Sequence, residues 1–95
     1  MERVSMNRIE KENIQHLQFK NQEVLQDTGA QNGRERELHR AMLLGNGHKS
    51  KVKIIFESLT GRNMVQTTIW ATTDKNVVLK GGLLIPICCI LEVVC

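Results

Sequence analysis

The chain has 95 residues, a net charge of +3 at pH 7 and a hydrophobic content of 41%. This length suffices for one domain, and a charged content of 24% is that of an ordinary folded protein rather than of a strongly basic nucleic-acid-binding arm. Its first residues lack the charged-then-apolar pattern of a signal peptide, so none is expected, and its longest apolar segment, residues 83–95, is shorter than the about 20 residues that cross a bilayer. We therefore expect a cytoplasmic protein without a membrane span.

The first half of the chain, residues 1–45, is polar and shows helical spacing of its apolar residues. Met6, Ile9, Asn13, Ile14 and Leu17 fit a short amphipathic helix. The alternative is that Leu17 and Phe19 begin an extended segment. The N-terminal part of the molecule is therefore predicted to be helical.

A second and clearer helix is predicted to end at Gly45. Leu38, Ala41 and Met42 share one face, and Gly45 stands where a C-terminal cap favours a residue with positive φ. Its start is predicted at the capping box Thr28-x-x-Gln31, or alternatively at Asn32, with Glu35 three residues later. Residues 46–50 then form a linker.

The second half, residues 51–95, reads as five short strands with turn signals between them. Apolar and polar residues alternate with period two, which places one side of each strand on a core and the other in water. The residues expected in the core are Val52, Ile54, Phe56, Val65 and Ile69, and those expected at the surface are Lys51, Lys53 and Gln66. Several short strands at close spacing predict a small antiparallel barrel or sandwich.

This half resembles the Sm-like barrels, including small bacterial proteins related to the protein inhibitor of Rho-dependent termination. The resemblance lies in Gly61, in Asp74-Lys75-Asn76-Val77-Val78-Leu79, in Ile85-Pro86-Ile87 and in Ile90-Leu91-Glu92-Val93. The chain is also similar to short uncharacterised bacterial proteins that share the patterns FKN, LGN, TT-x-W, TDKNV-x-LK-x-G and IPI. Asp74 and Asn76 match, in kind, the acidic and amide residues near an Sm-like turn that binds RNA.

The resulting fold prediction is α+β, with an N-terminal helical segment (1–45) followed by a five-stranded antiparallel Sm-like, SH3-like small barrel (51–95). Residues 1–95 form a single domain in this prediction. An open sheet with an apolar last segment leaves an edge to be paired, and Sm-like barrels commonly pair such edges between subunits, so a homo-oligomer is expected.

Basic residues supply the candidate binding site. Lys49, Lys51 and Lys53 are spaced by two and share one face of a strand, while Arg36 and Arg40 lie one helical turn apart. Together they would form one patch for phosphate oxygens. The alternatives are a solvated strand face for the lysines and exposed intrahelical ion pairs with Glu35 and Glu37 for the arginines.

Trp70, the chain's single tryptophan, is the remaining candidate. Strand alternation turns it away from Val65, Ile69 and Ala71, where it would stack on a base or contact a protein partner. Packing beneath the helix is an equal alternative.

Nothing in the sequence indicates catalysis, a metal site or a cofactor. Cys88 and Cys89 are adjacent, and adjacent residues on a strand point to opposite faces, so they do not form a metal-binding pair. Three cysteines, with Cys95 the third, are not a disulfide framework. The predicted function is a small non-catalytic binding module that recognises RNA or a protein of the RNA machinery. The alternative is a structural, oligomer-forming protein without nucleic-acid affinity.

Overall fold

The structure, a computed structural model, describes residues 7–19, 22–48, 50–59 and 61–95. Its regular elements are one α-helix, seven short strands and two 3-10 helices. In chain order they are β1 (Asn7–Arg8), η1 (Lys11–His16), α1 (Thr28–His48), β2 (Val52–Ser58), β3 (Gly61–Thr67), β4 (Ile69–Thr72), β5 (Asn76–Leu79), β6 (Leu84–Pro86), η2 (Ile87–Cys89) and β7 (Ile90–Val94).

The strands form two open sheets, one of four strands in the order β1-β3-β2-β7 and one of three in the order β4-β5-β6. All pairings are antiparallel except that of β1 with β3. The β2–β3 hairpin is the most regular part, with seven paired positions from Val52↔Thr67 to Ser58↔Gly61. The fold class is therefore α+β.

The predicted core is confirmed. Val52, Ile54, Phe56, Val65 and Ile69 are buried, and the predicted surface residues Lys51, Lys53 and Gln66 are exposed. The core continues through Val77, Leu79, Ile85 and Ile90 of the later strands and is closed by Ile14, Leu38 and Ala41. Period-two alternation thus identified the buried face of the first strands correctly.

The predicted five-stranded closed barrel is wrong, because the strand expected over 65–72 is broken at Thr68. Pairing with β2 ends at Thr67, and pairing with β5 begins at Ile69. At the break, the Lys80 N–H donates a hydrogen bond to the Thr68 carbonyl over 2.9 Å. The chain therefore leaves one sheet and enters a second.

The predicted N-terminal position of the helix is also wrong, since α1 lies in the middle of the chain. Residues 7–19 contain β1 and the 3-10 helix η1, and the Ile9 N–H donates to the Met64 carbonyl over 2.9 Å. This segment is therefore attached to the first sheet through β1, and its helical part is the 3-10 turn η1 rather than an α-helix. Met6, the first residue of the predicted helical face, lies outside the described residues.

Asp27 fixes the start of α1. Its carboxylate accepts a hydrogen bond from the Ala30 N–H at 3.1 Å and its carbonyl accepts one from the Gln31 N–H at 3.0 Å. An aspartate in this position satisfies N–H groups that the first helical turn leaves without partners. The Gln31 side chain donates to the Leu25 carbonyl instead, over 2.7 Å, so neither the capping box nor the start at Asn32 is observed.

Gly45 does not end the helix, which continues to His48, but it decides how closely the helix approaches β4. A Cβ built on Gly45 would overlap the carbonyl oxygen of Ile69 and lie 3.2 Å from Cγ2 of Thr68. Only glycine lets the two backbones come this near without a shift. The need for glycine at position 45 is therefore a packing requirement.

An ion pair between a buried arginine and a half-buried glutamate ties the segment before α1 to the helix and to β7. Both Arg34 guanidinium NH groups donate to the Glu23 carboxylate, over 2.7 and 2.5 Å, and one of them also donates to the Ile90 carbonyl over 2.9 Å. Arg34 is only 8% exposed. The hydrogen bonds from Arg34 are the main cause that lowers the pKa of Glu23 below its ordinary 4.5, and burial opposes them.

We expect Gly45→Ala to destabilise the protein, by about 1–3 kcal/mol as for other overpacked sites, because the new methyl group displaces α1 from β4. Gly33→Ala is the matched control, since a Cβ there meets only the flexible Arg36 side chain at 3.8 Å. Alanine favours an interior helix position by about 1 kcal/mol over glycine, so Gly33→Ala should stabilise. Urea unfolding measures both, and equal stability of the two variants would contradict the close approach.

The lowered pKa of Glu23 sets the direction of a pH effect. The ionised Glu23 carboxylate contributes fully to stability above its pKa in the unfolded chain, near 4.5. This contribution is lost as the pH falls through the lower pKa of Glu23 in the folded protein. Glu23→Gln should therefore reduce the free energy of unfolding at neutral pH, by about 1–3 kcal/mol for charged hydrogen bonds. The deficit should shrink below about pH 4.5.

Glu57→Gln is the control for this pH effect. The two glutamates are similarly exposed, but Arg62 lies 3.7 Å from Glu57 and is 34% exposed, whereas Arg34 is 7% exposed, so the loss should stay below about 1 kcal/mol. Chemical denaturation across the acid range gives both profiles. Parallel profiles for the two variants would show that the Glu23 pair has no special role.

Candidate functional site

Three lysines from distant parts of the chain meet at one small polar cleft, which we call the lysine cleft. Lys11 belongs to η1, Lys51 precedes β2 and Lys80 follows β5. The cleft has a volume of about 230 Å³ and is lined by Glu10, Lys11, Glu12, Lys51, Gln66, Thr67, Thr68 and Lys80. The break at Thr68 thus lies in the wall of this cleft.

The backbone around the break positions two of these lysines. Lys51 directly precedes the Val52↔Thr67 pair, and the Lys80 N–H is bonded to the Thr68 carbonyl. Lys11 approaches from η1, and its Nζ would lie 3.9 Å from a Cβ built on Gly81. The three lysines therefore line one cleft although residues 11, 51 and 80 are far apart in sequence.

The lysines of the cleft form no ion pair with any described residue. Within the described ranges the ion pairs are Arg34–Glu23 and Arg62–Glu57. Glu10 and Glu12 also line the cleft, but neither lies within 4.0 Å of a lysine ammonium in an ion pair. The ammonium groups are therefore available for phosphate or carboxylate oxygens.

The structure distributes the predicted basic residues over separate surfaces. Lys51 lies in the lysine cleft, and Lys53 follows on the same face of β2, opposite Gln66. Lys49 lies outside the described residues. Arg36 lines a different groove, so the predicted arginines and lysines are not all brought to one cleft.

That second groove, here the α1 groove, runs between α1 and the β4–β5 turn and has a volume of about 890 Å³. Arg36 and His39 lie on its helical side and Asp74 on its turn side, with Leu38 and Ile87 among its apolar residues. Charges of both signs face it. The α1 groove therefore has no clear preference for an anion.

Asn76, the other predicted turn residue, has a structural role. Its N–H donates to the Thr73 hydroxyl over 3.0 Å, and its carbonyl accepts from the Thr73 N–H at 2.8 Å. Asn76 also pairs with Pro86 in the sheet. These contacts close the β4–β5 turn and leave Asp74 exposed at its tip.

Arg40 lies near the end of β7. The Cys95 thiol is within 3.6 Å of the Glu37 carboxylate, and Arg40 is close enough to act on the thiol electrostatically. Burial raises the pKa of Cys95, the hydrogen bond to Glu37 adds to the rise, and Arg40 opposes it. A raised pKa leaves a thiol protonated and poorly nucleophilic at neutral pH.

Trp70 stands on β4 with 48% of its surface exposed, so the helix does not enclose it. The pairing register of β4 with β5 shifts between Ile69 and Ala71, which makes Trp70 the extra residue of a β-bulge. Bulges change the direction of a side chain and occur often beside functional sites.

Sequence reasoning missed Lys11 and Lys80. Lys80 stands before Gly81 and Gly82, whose positive φ angles of 91° and 82° form the turn into β6, and a lysine at such a turn is a weak signal. Lys11 lies in a generally polar segment and gives no signal at all.

The cysteine sulfurs of positions 88 and 89 lie 3.9 Å apart in η2, not on opposite faces of a strand. Among the described residues, no group of three or more histidine, cysteine or acidic side chains is arranged to hold a metal ion. Nor does the described part of the chain contain a helix with the length and hydropathy needed to cross a membrane.

Comparison of the chain with protein-family models, with curated proteins and with solved structures finds no match. The resemblance to Sm-like proteins therefore stays a prediction.

Proposed function

We propose that the protein is a small non-catalytic module that binds single-stranded RNA through the lysine cleft. The observation that carries the proposal is the convergence of Lys11, Lys51 and Lys80, which form no ion pair with a described residue. Lysine ammonium groups bind phosphate oxygens as flexible point charges. The net charge of +3 favours a polyanionic partner over a polycationic one.

The size of the cleft favours a strand over a duplex. A volume of about 230 Å³ accommodates a small group such as a phosphate, and Lys53 extends the positive charge along the exposed face of β2. Phosphates that follow one another along a flexible single strand can occupy these positions in turn. The acidic residues Glu10 and Glu12 on the cleft limit the charge, so binding should be moderate and sensitive to salt.

Salt dependence tests this proposal. Each phosphate neutralised on a single strand contributes about −0.7 to the slope of log K against log salt, so three to four lysine contacts predict a slope of about −2 to −3. Fluorescence anisotropy of a labelled RNA oligonucleotide over a range of KCl concentrations measures it. Absence of RNA binding even at low salt would overturn the proposal.

Two charge variants separate the cleft from general basicity. Lys51→Gln combined with Lys80→Gln should weaken RNA binding and reduce the slope by about 1.4. Lys75→Gln, in the exposed β4–β5 turn, removes a like charge outside the cleft and should change binding much less. The thermal midpoint should stay nearly constant in all variants, because none of these lysines is ion-paired within the described residues.

A second candidate function is assembly of identical chains, and an exposed leucine favours it. Leu84 lies on β6, the last strand of its sheet, with 49% of its surface exposed, and its cross-strand partner is Val78. An apolar edge strand is a common place for pairing between subunits. We therefore propose, as the second candidate, the homo-oligomer that is expected from the sequence.

Light scattering tests the assembly. If β6 pairs between chains, the wild-type mass should rise with concentration, and Leu84→Glu should give a monomer. Leu59→Glu is the control, because Leu59 is 54% exposed but follows β2 rather than lying on β6. A wild-type protein that stays monomeric at all concentrations rules this candidate out.

A further inference from the structure

Trp70 is held outward by the strand geometry of β4. Ile69 pairs with Leu79, and both side chains are completely buried in the core. Trp70, by contrast, is 48% exposed, so at the bulge the indole lies on the solvent side of the sheet. The bulge at this position leaves the indole without a directly paired residue on β5.

Lys80 is close to Trp70 along the backbone. It follows Leu79, the cross-strand partner of Ile69, and its N–H donates to the carbonyl of Thr68, two residues before Trp70. Both Lys80 and Trp70 are exposed. Lys80 is also one of the three lysines of the lysine cleft, so it connects the cleft to the indole.

We propose that Trp70 is a stacking platform for one base of a single-stranded RNA whose neighbouring phosphates lie on Lys80 and Lys51. The inference rests on the proposed function and assigns the base contact of the same site. An indole offers a π-face to any base, and its stacking does not depend on sequence. The site therefore binds RNA through the Trp70 indole and the lysine ammonium groups, without hydrogen bonds to the edges of the bases.

Charge complementarity argues for a nucleotide as the occupant of this face. An apolar peptide or a second copy of the chain would bring Lys80 into a less hydrated interface, where an unpaired ammonium is costly. A nucleotide presents its phosphate to Lys80 and its base to Trp70 at the same time. The apolar residues Ala71, Val78 and Leu84, which form a cross-strand row, extend the face beside the indole.

The chain provides its own probe for this contact. It contains one tryptophan and no tyrosine, so intrinsic tryptophan fluorescence reports on Trp70 alone. A single-stranded RNA oligonucleotide of mixed sequence should quench this emission on binding. Inorganic polyphosphate, which has phosphates but no bases, should bind the lysine cleft without comparable quenching.

Two substitutions of Trp70 make the test quantitative. Trp70→Leu keeps an apolar side chain without a ring and should weaken RNA binding roughly 5- to 100-fold, the range of one base–aromatic stack. Trp70→Phe keeps a ring and should recover most of that affinity. Polyphosphate binding should be the same in both variants and in the wild type, which also controls for their folding.

The possible outcomes separate the stacking inference from the proposed function. RNA binding without quenching, together with unchanged affinity in Trp70→Leu, would overturn the stacking and leave the lysine cleft as the RNA site. Failure of both RNA and polyphosphate to bind would overturn both. Trp70 emission that shifts with protein concentration in the absence of ligand would overturn the stacking in favour of a second copy on this face.

Discussion

The hydrogen bonds of Arg34 join three parts of the chain through one buried side chain. Arg34 belongs to α1, Glu23 to the segment before it, and Ile90 to the first position of β7. A buried guanidinium is costly to desolvate, but two contacts to one carboxylate and one to a carbonyl satisfy it. With α1 held against β7, Leu38 and Ala41 of the same helix reach the core.

The opposite end of α1 is placed by a different constraint. Gly45 meets the backbone of β4 at Ile69, so the helix spans from β7 of the first sheet to β4 of the second. The Arg34 side chain near one end of α1 and the lack of a side chain at Gly45 near the other therefore fix the position of the helix against both sheets. The hydrophobic residues between these ends could pack in several ways, and the two specific contacts select one of them.

The sequence predicted what depends on local pattern. Alternation identified the buried residues of β2 and β3, and the position of the later strands followed from their turn signals. The alternation rule failed at Thr68. Three consecutive residues, Thr67, Thr68 and Ile69, are all buried there, so the period of two is lost. A continuous strand and a strand that changes sheets have the same composition here, so the pattern left a barrel and a sandwich open, and the resemblance to Sm-like proteins favoured the barrel.

The cap of α1 and its long-range contacts were harder to predict. Thr28 and Asp27 are both good capping residues, and the structure uses the aspartate, which moves the cap by one position. The pair of Glu23 and Arg34 spans eleven residues that include the start of the helix, and no spacing rule connects them. Lys11, Lys51 and Lys80 line one cleft because η1 packs against β3 and β6, and these contacts depend on the tertiary structure.

The break at Thr68 is the common origin of the fold's irregularity and of its candidate site. The change of sheets brings Lys80 to the Thr68 carbonyl and opens the polar cleft beside it. Two residues later, β4 accommodates its new partner with a bulge, and the bulge directs Trp70 to the solvent. An uninterrupted β3 would continue its pairing with β2 and would bring neither group to the same surface. In this molecule the departure from regular strand geometry both opens the polar cleft and exposes the indole of Trp70.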